Sequence, residues 1–220
     1  MAGWPASGEE LRAAQLELAR ASPPLWRSSG NPLVGGCFVC FARGKTGAGA
    51  AGDPGWAGAA LADERTAVVA GPAGAPYESG LLALREGALF EGAVRSLPEQ
   101  PEVLIVNATG RDHPRRAGLA LHLGARLGLP TIGVTHRLLL AYGEWPADER
   151  GDRSPVTLDG ETVGAWLRTR AGTRPLAVHP GWCTDVDTAI ELVLAGTGQR
   201  RTPEPLRLAR RAARAARARA

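Results

Sequence analysis

Pro101-Glu102-Val103-Leu104-Ile105-Val106-Asn107 is the stretch that decides the fold. Four consecutive apolar residues, three of them β-branched, suit a strand covered on both faces, and such strands lie at the centre of sheets that carry helices on either side. Working outward, Gly80–Ser96 has a helical pattern before this strand and His113–Leu127 has one after it. Pro130–Val134 is then a second short buried strand. Upstream, Leu33–Ala42, Trp56–Leu61 and Thr66–Ala70 read as a meander, with a Gly/Ala-rich turn at Lys45–Pro54 and a loop at Gly71–Ala75. Gly8–Ala21 is an amphipathic helix ended by Ser22-Pro23-Pro24. Downstream, Gly143–Ser154 is polar and irregular. Val156–Leu158 and Thr162–Arg170 form a hairpin on Asp159-Gly160, Leu176–His179 is a strand, and Asp185–Ala195 and Pro203–Ala218 are helices. A meander followed by alternating strands and helices predicts a mixed sheet with helices on its faces. Sites in such sheets open where strands end, so the loops after Ala42, Asn107, Val134 and His179 are the places to search.

Composition narrows the class. The chain has 220 residues, 44% hydrophobic and 22% charged, which fits one globular domain rather than disorder. No apolar run is long enough to span a membrane, and the first residues show no basic stretch followed by an apolar one, so a cytoplasmic protein with no membrane partner is expected. Three Cys, an odd number, argue against a disulfide framework, and no four-Cys zinc pattern is present. The net charge of +4 is local. Arg200–Ala220 carries eight Arg against the single acid Glu204, leaving 18 basic and 21 acidic residues elsewhere. The expected organisation is a domain over 1–202 and a basic C-terminal helix or tail over 203–220. That helix, with Arg207, Arg210, Arg211, Arg214 and Arg217 at helical spacing, either attracts phosphates or is simply a solvated face.

Three further stretches stand together. They are Pro76-Tyr77-Glu78-Ser79-Gly80 followed by Leu84-Arg85-Glu86; Asn107-Ala108-Thr109-Gly110-Arg111-Asp112-His113-Pro114-Arg115-Arg116 leading into Gly118–Gly124; and Pro130-Thr131-Ile132-Gly133-Val134. In this order they resemble the endonuclease V family of inosine-directed nucleases. Leu11–Gln15, Pro180-Gly181 and Pro203-Glu204-Pro205 extend the resemblance over nearly the whole chain. It implies an α/β, RNase H-like mixed β-sheet flanked by helices, a place in a DNA repair family, and hydrolysis of a phosphodiester near inosine. It also implies Mg²⁺ held by an Asp on the first strand, a Glu on the helix after the Pro-Tyr wedge and an Asp ending the central strand. A Lys after the Pro-Thr-Ile-Gly-Val strand and a His in the late Pro-Gly loop assist.

Carried over residue by residue, the first-strand Asp falls on Phe38, the Glu on Glu86, the central-strand Asp on Asn107, the Lys on His136 and the late His on Trp182. Only Glu86 matches. A phenyl ring gives Mg²⁺ no ligand and a carboxamide oxygen is neutral, so the metal is expected to be lost and no cofactor is expected. Asp112 lies too far past the strand end to substitute.

What survives is recognition. Tyr77 matches the family's wedge and is a base-stacking residue, or else an ordinary loop aromatic packed on the core. His113, Arg115 and Arg116 are phosphate contacts at a helix start, or a solvated turn. The leading expectation is therefore a pseudoenzyme that binds DNA or RNA of the inosine type, or a small molecule in the former inosine pocket, without cleavage.

The competing expectation is a new enzyme in the same cavity. Strand alternation puts Cys40 on the face of Phe38 and turns Cys37 into the core. Cys40 with His136 makes a nucleophile–base pair, Glu86 an acid/base and Asn107 a hydrogen-bond donor, inside a pocket walled by Phe38, Thr109, Trp182, Cys183 and His179. Cys40 as a small buried hydrophobe is the bland reading. Zinc on Cys40, His136 and Cys183 lacks any supporting spacing. An active deoxyinosine-specific endonuclease is the third reading.

Overall fold

The computed structural model describes residues 3–28, 30–42 and 49–220. Eight strands form one mixed sheet in the order β3-β2-β1-β4-β5-β8-β7-β6. The strands are β1 (Val34–Phe41), β2 (Pro54–Leu61), β3 (Thr66–Pro72), β4 (Val103–Val106), β5 (Thr131–Thr135), β6 (Arg153–Leu158), β7 (Glu161–Leu167) and β8 (Leu176–Pro180). The helices are α1 (Gly8–Arg20), α2 (Leu82–Arg95), α3 (Leu119–Leu127), α4 (Val186–Thr197) and α5 (Glu204–Arg219). This is the α/β, RNase H-like arrangement of a mixed sheet between helices. No helix among the described residues is long and apolar enough to cross a membrane.

The central strand behaves as its sequence requires. Leu104 and Val106 join the core under α2 and α3, while Val103 and Ile105 join the core under α4 and α5. β4 pairs in parallel with β1 on one side and β5 on the other, so the carboxyl ends of all three open on the same edge of the sheet. β8 runs antiparallel to β5 and ends at the opposite edge. The predicted hairpin turn is present: Asp159 (φ 51°) and Gly160 (φ 82°) supply the two left-handed residues that join β6 to β7.

One expectation needs correction, and one open alternative is narrowed. The helix read from His113 begins only at Leu119. The preceding residues make a tight turn, with Arg116 left-handed at φ 56°, because the buried Asp112 carboxylate accepts the backbone N–H groups of Leu139, Leu140 and Ala141 at 2.6–2.8 Å. The basic segment read as a C-terminal helix or tail is a helix seated directly on β1 and β2. Leu206, Leu208, Ala209 and Ala213 are its buried face. Glycines permit the approach: a Cβ on Gly36 would lie 2.5 Å from the backbone at Pro205 and Leu206, and one on Gly58 would lie 2.3 Å from the Ala209 carbonyl.

Candidate nucleic-acid interface at the carboxyl ends of β1, β4 and β5

The site has two halves that meet at Asn107. The first is a pocket of about 330 Å³ lined by Tyr77, Gly80, Asn107, Thr109, His113 and Leu139, among others. Tyr77 forms its rim. Its side chain is 48% exposed, so it is not an aromatic packed on the core. The Gly80 carbonyl is the anchor of the floor. Arg115 Nη2 donates to it at 2.8 Å, Gln15 Nε2 at 3.1 Å, and a His113 ring nitrogen lies 3.1 Å away. Arg115 Nε also donates to Gln15 Oε1 at 2.6 Å. Burial pushes His113 down to about 4, so its ring is neutral at pH 7.

The expectation that placed His113, Arg115 and Arg116 at a helix start is corrected, since α3 begins at Leu119. All three precede the helix start, His113 and Arg115 are committed to the pocket floor, and Arg116 donates to the Leu158 carbonyl and to Asp159. Each bonds within the fold, although Arg116 Nη1 is buried without a partner, and a sequence motif cannot reveal either fact.

The second half lies on the α5 face of the sheet. Cys37 pairs with Val106 and the Asn107 N–H donates to the Cys37 carbonyl, so Phe38 and Asn107 are neighbours across β1 and β4. Asn107 Nδ2 donates to the Val134 carbonyl at 3.1 Å. Phe38 packs against the core below α4 and α5 and against Leu208 and Ala209. Two guanidinium groups stand over its ring, Arg210 at 5.0 Å and Arg214 at 5.7 Å from the ring centre. His136 follows the end of β5. Its pKa is lowered first by partial burial and then by the charges of Arg201 and Arg210. Glu86, on α2, is raised to about 7 by burial, which the neighbouring Arg85 charge only partly offsets.

Magnesium requires hard oxygen donors arranged octahedrally and favours carboxylates. The residues here do not fit it. Of the three positions where the resemblance calls for acids, Glu86 alone keeps a carboxyl, itself half protonated near neutrality, and the other two hold a phenyl ring and an amide. Cations rather than acids gather at the ring. No group of three His, Cys, Asp or Glu among the described residues could hold a metal ion.

The remaining expected residues are not brought together. Cys40 is buried on the Phe38 face of β1, as alternation predicted, and Cys37 is in the opposite core, where burial pushes its thiol up. His136 follows β5 and is largely open to solvent, partly covered by its neighbours. Trp182 and Cys183 are at the wrong edge of the sheet. The loop after His179 follows β8, which runs against β5, so Trp182 packs by Thr131 and Gly124 at the amino end of β5. His179 is fully buried between the strands, 3.2 Å from Thr135 Oγ1, with its pKa lowered to about 4 by burial. Thr109 alone of that group lines the pocket. Arg210 and Arg214 were visible as helix-spaced charges, but their place over Phe38 depends on α5 docking at Gly36 and Gly58. The small residues Ala209 and Ala213 were the available sign of it.

Residues 27–211 match the family model described as Endonuclease V. The chain belongs to the Endonuclease V family. It is 46% identical over 160 residues to an Endonuclease V of Nocardia farcinica, covering 72% of this chain and 70% of that protein. Several other curated relatives are matched over only 62–64% of their own length. A crystal structure of the Endonuclease V from Streptomyces avermitilis superposes with a TM-score of 0.81 at 35% identity, covering 98% of this chain and 95% of that one. The catalytic domain of human Endonuclease V gives 0.82 at 28% identity, covering 96% of each chain. The Endonuclease V fold is thus common to all three, and the chemistry of this member must be argued from its own residues.

Proposed function

We propose that this Endonuclease V-family chain binds an inosine-type nucleic-acid strand, of DNA or RNA, and does not cleave it through metal. The observation that carries the reading is Phe38 beside Asn107. These are the two positions where the family resemblance calls for carboxylates, and here a ring under two guanidinium groups adjoins an amide already donating to a backbone carbonyl. Phosphodiester hydrolysis by Mg²⁺ needs acids there to hold the ion and through it to activate water. The pocket beside them supports the reading, with an exposed tyrosine among its lining residues and the Gly80 carbonyl held by hydrogen bonds. A strand would place a base beneath Tyr77 and stack on the phenol ring, an interaction that tolerates different bases.

The test is one oligonucleotide carrying inosine, assayed for binding and for cleavage with Mg²⁺ and with chelator. Equal affinity in both and no product are expected. Tyr77→Ala is expected to weaken binding about tenfold without changing the unfolding temperature, since stacking one base is worth roughly 1–3 kcal/mol. Mg²⁺-dependent cleavage that disappears in Glu86→Ala would overturn the proposal and return the chain to the activity its relatives are named for. Rapid alkylation of Cys40 in the folded protein, blocked by a small molecule, would favour the Cys40/His136 enzyme instead.

A further inference from the structure

Arg210 differs from the other arginines in the fold. Among the described residues, every other arginine that is not exposed donates to a carboxylate or a carbonyl. Arg65 does so to Asp63, Arg85 to Asp53, Arg126 to Glu91, Arg168 to Ala147, Arg116 to Leu158, Arg111 to Ala19, Arg115 to Gly80, Arg201 to Arg174, Arg207 to Glu204 and Arg217 to Phe41. Arg210 is half-buried and has no such partner, and its Nε is buried without a hydrogen bond. Arg214, one turn along α5, faces the same ring and is exposed. The single acid of α5, Glu204, is held by Arg207 and Arg200. Burial, then the charges of Arg214 and Arg201, lower the pKa of Arg210, so the cluster carries like charges close together with no counter-charge of its own.

We propose that Arg210 and Arg214, both over the Phe38 ring, form a phosphate site that grips the anion directly, with Arg201 adding to its field. Guanidinium groups present paired N–H donors matched to phosphate oxygens, and an aromatic ring beneath them fixes their planes while leaving the donor edges open. A bound phosphate supplies the counter-charge that the fold withholds. No bond is made or broken. Arg214 also borders a groove with Trp56 and Arg217, which offers a stacking ring and further charge to the next nucleotide. The occupant is therefore a phosphodiester of a nucleic-acid strand. That choice of occupant rests on the function proposed above, whereas the phosphate site itself does not.

Two measurements in chelator separate them. The first is thermal unfolding of the full chain with inorganic phosphate against chloride at matched ionic strength. The second is anisotropy of a labelled single-stranded inosine oligonucleotide over a salt series. Wild type is expected to be stabilised by phosphate. The shift should vanish in Arg210→Met/Arg214→Met, whose unfolding temperature without phosphate should be no lower than that of wild type. The double variant is expected to bind the oligonucleotide at least roughly tenfold more weakly. It should also lose about 1.4 from the salt slope, at about 0.7 per single-strand phosphate contact. Arg210→Lys should recover the slope but not the full affinity, and Arg20→Gln, exposed on α1, should change neither. A phosphate shift that depends on both arginines, with oligonucleotide binding unaffected, keeps the site and overturns the strand as its occupant. No phosphate shift together with an unchanged salt slope overturns the site.

Discussion

Strand β1 carries a phenylalanine under a guanidinium on each of its faces, and the two are built oppositely. On the core side of α2, Arg85 lies 4.1 Å from the centre of the Phe41 ring. It bonds to the Asp53 carboxylate at 3.0 Å and to the carbonyls of Ala50 and Ala75, and both members of the ion pair are about 95% buried. On the α5 side, Arg210 covers Phe38 and has no acid. The same stacking motif is closed in one place and open in the other. A closed cation–π pair with a buried counter-charge is architecture, whereas an open one leaves donor capacity for something from outside. The difference lies in Asp53, not in the arginine or the ring.

Removing each arginine in turn separates the two pairs. Arg85→Met takes the buried guanidinium away from the Asp53 carboxylate, and is expected to cost about 3–5 kcal/mol in denaturant unfolding. Arg210→Met removes an uncompensated charge and is expected to cost less than about 1 kcal/mol or to stabilise. Equal losses would erase the distinction.

A second contrast separates groups that keep their charge by pairing from those that give it up. His113, His122 and His179 are buried and each is lowered to about 4. An unfolded His binds its proton near 6.5, so as pH falls from 6.5 toward 4 the unfolded chain takes up protons that the fold refuses, and stability drops. Each His contributes at most about 2 kcal/mol of loss at pH 5. Glu86 acts in the other direction. Its folded pKa of about 7 lies above the unfolded value of 4.5, so between those two values acidification favours the fold. Urea unfolding from pH 7 to pH 5 should therefore show a net loss, and Glu86→Gln should steepen it. A flat profile in the variant would mean that the three imidazoles accept protons in place.

The smallest effect should come from a pair that is formed but not buried. Arg12 and Glu78 meet at 3.2 Å with side chains 49% and 61% exposed. Arg12→Ala is expected to change stability by about 0.5 kcal/mol or less, because water already screens the pair. A loss approaching that of Arg85→Met would mean that burial is not what sets the value of a guanidinium here.

Much of this was legible from residues alone, and the failures have a common cause. The apolar run of β4, the Asp159-Gly160 turn and the separation of Cys37 from Cys40 follow from period and turn chemistry, which are local. The opening of α3 at Leu119 was not legible, since it depends on Asp112 holding a segment far along the chain. Trp182 was misplaced because an antiparallel β8 sends its loop to the far edge, and strand direction is not written in a Pro-Gly motif. The bonds of Arg115 to the Gly80 carbonyl and of Arg116 to the Leu158 carbonyl were not legible, because those oxygens lie far off in the chain. Arg210 was seen as charge and missed as position, since only the seating of a helix on two glycines brings it to Phe38.

The grip of Asp112 on residues 139–141 falls on main-chain amides and leaves the side chains there unengaged by it. Leu139 stands in the pocket wall, and Leu140 points outward, 53% exposed. The wall's contour is thus moulded by groups every non-proline amino acid possesses. Its lining can be exchanged at those positions without loosening the mould, so a new preference for what sits inside can be acquired by substitution while the vessel keeps its shape.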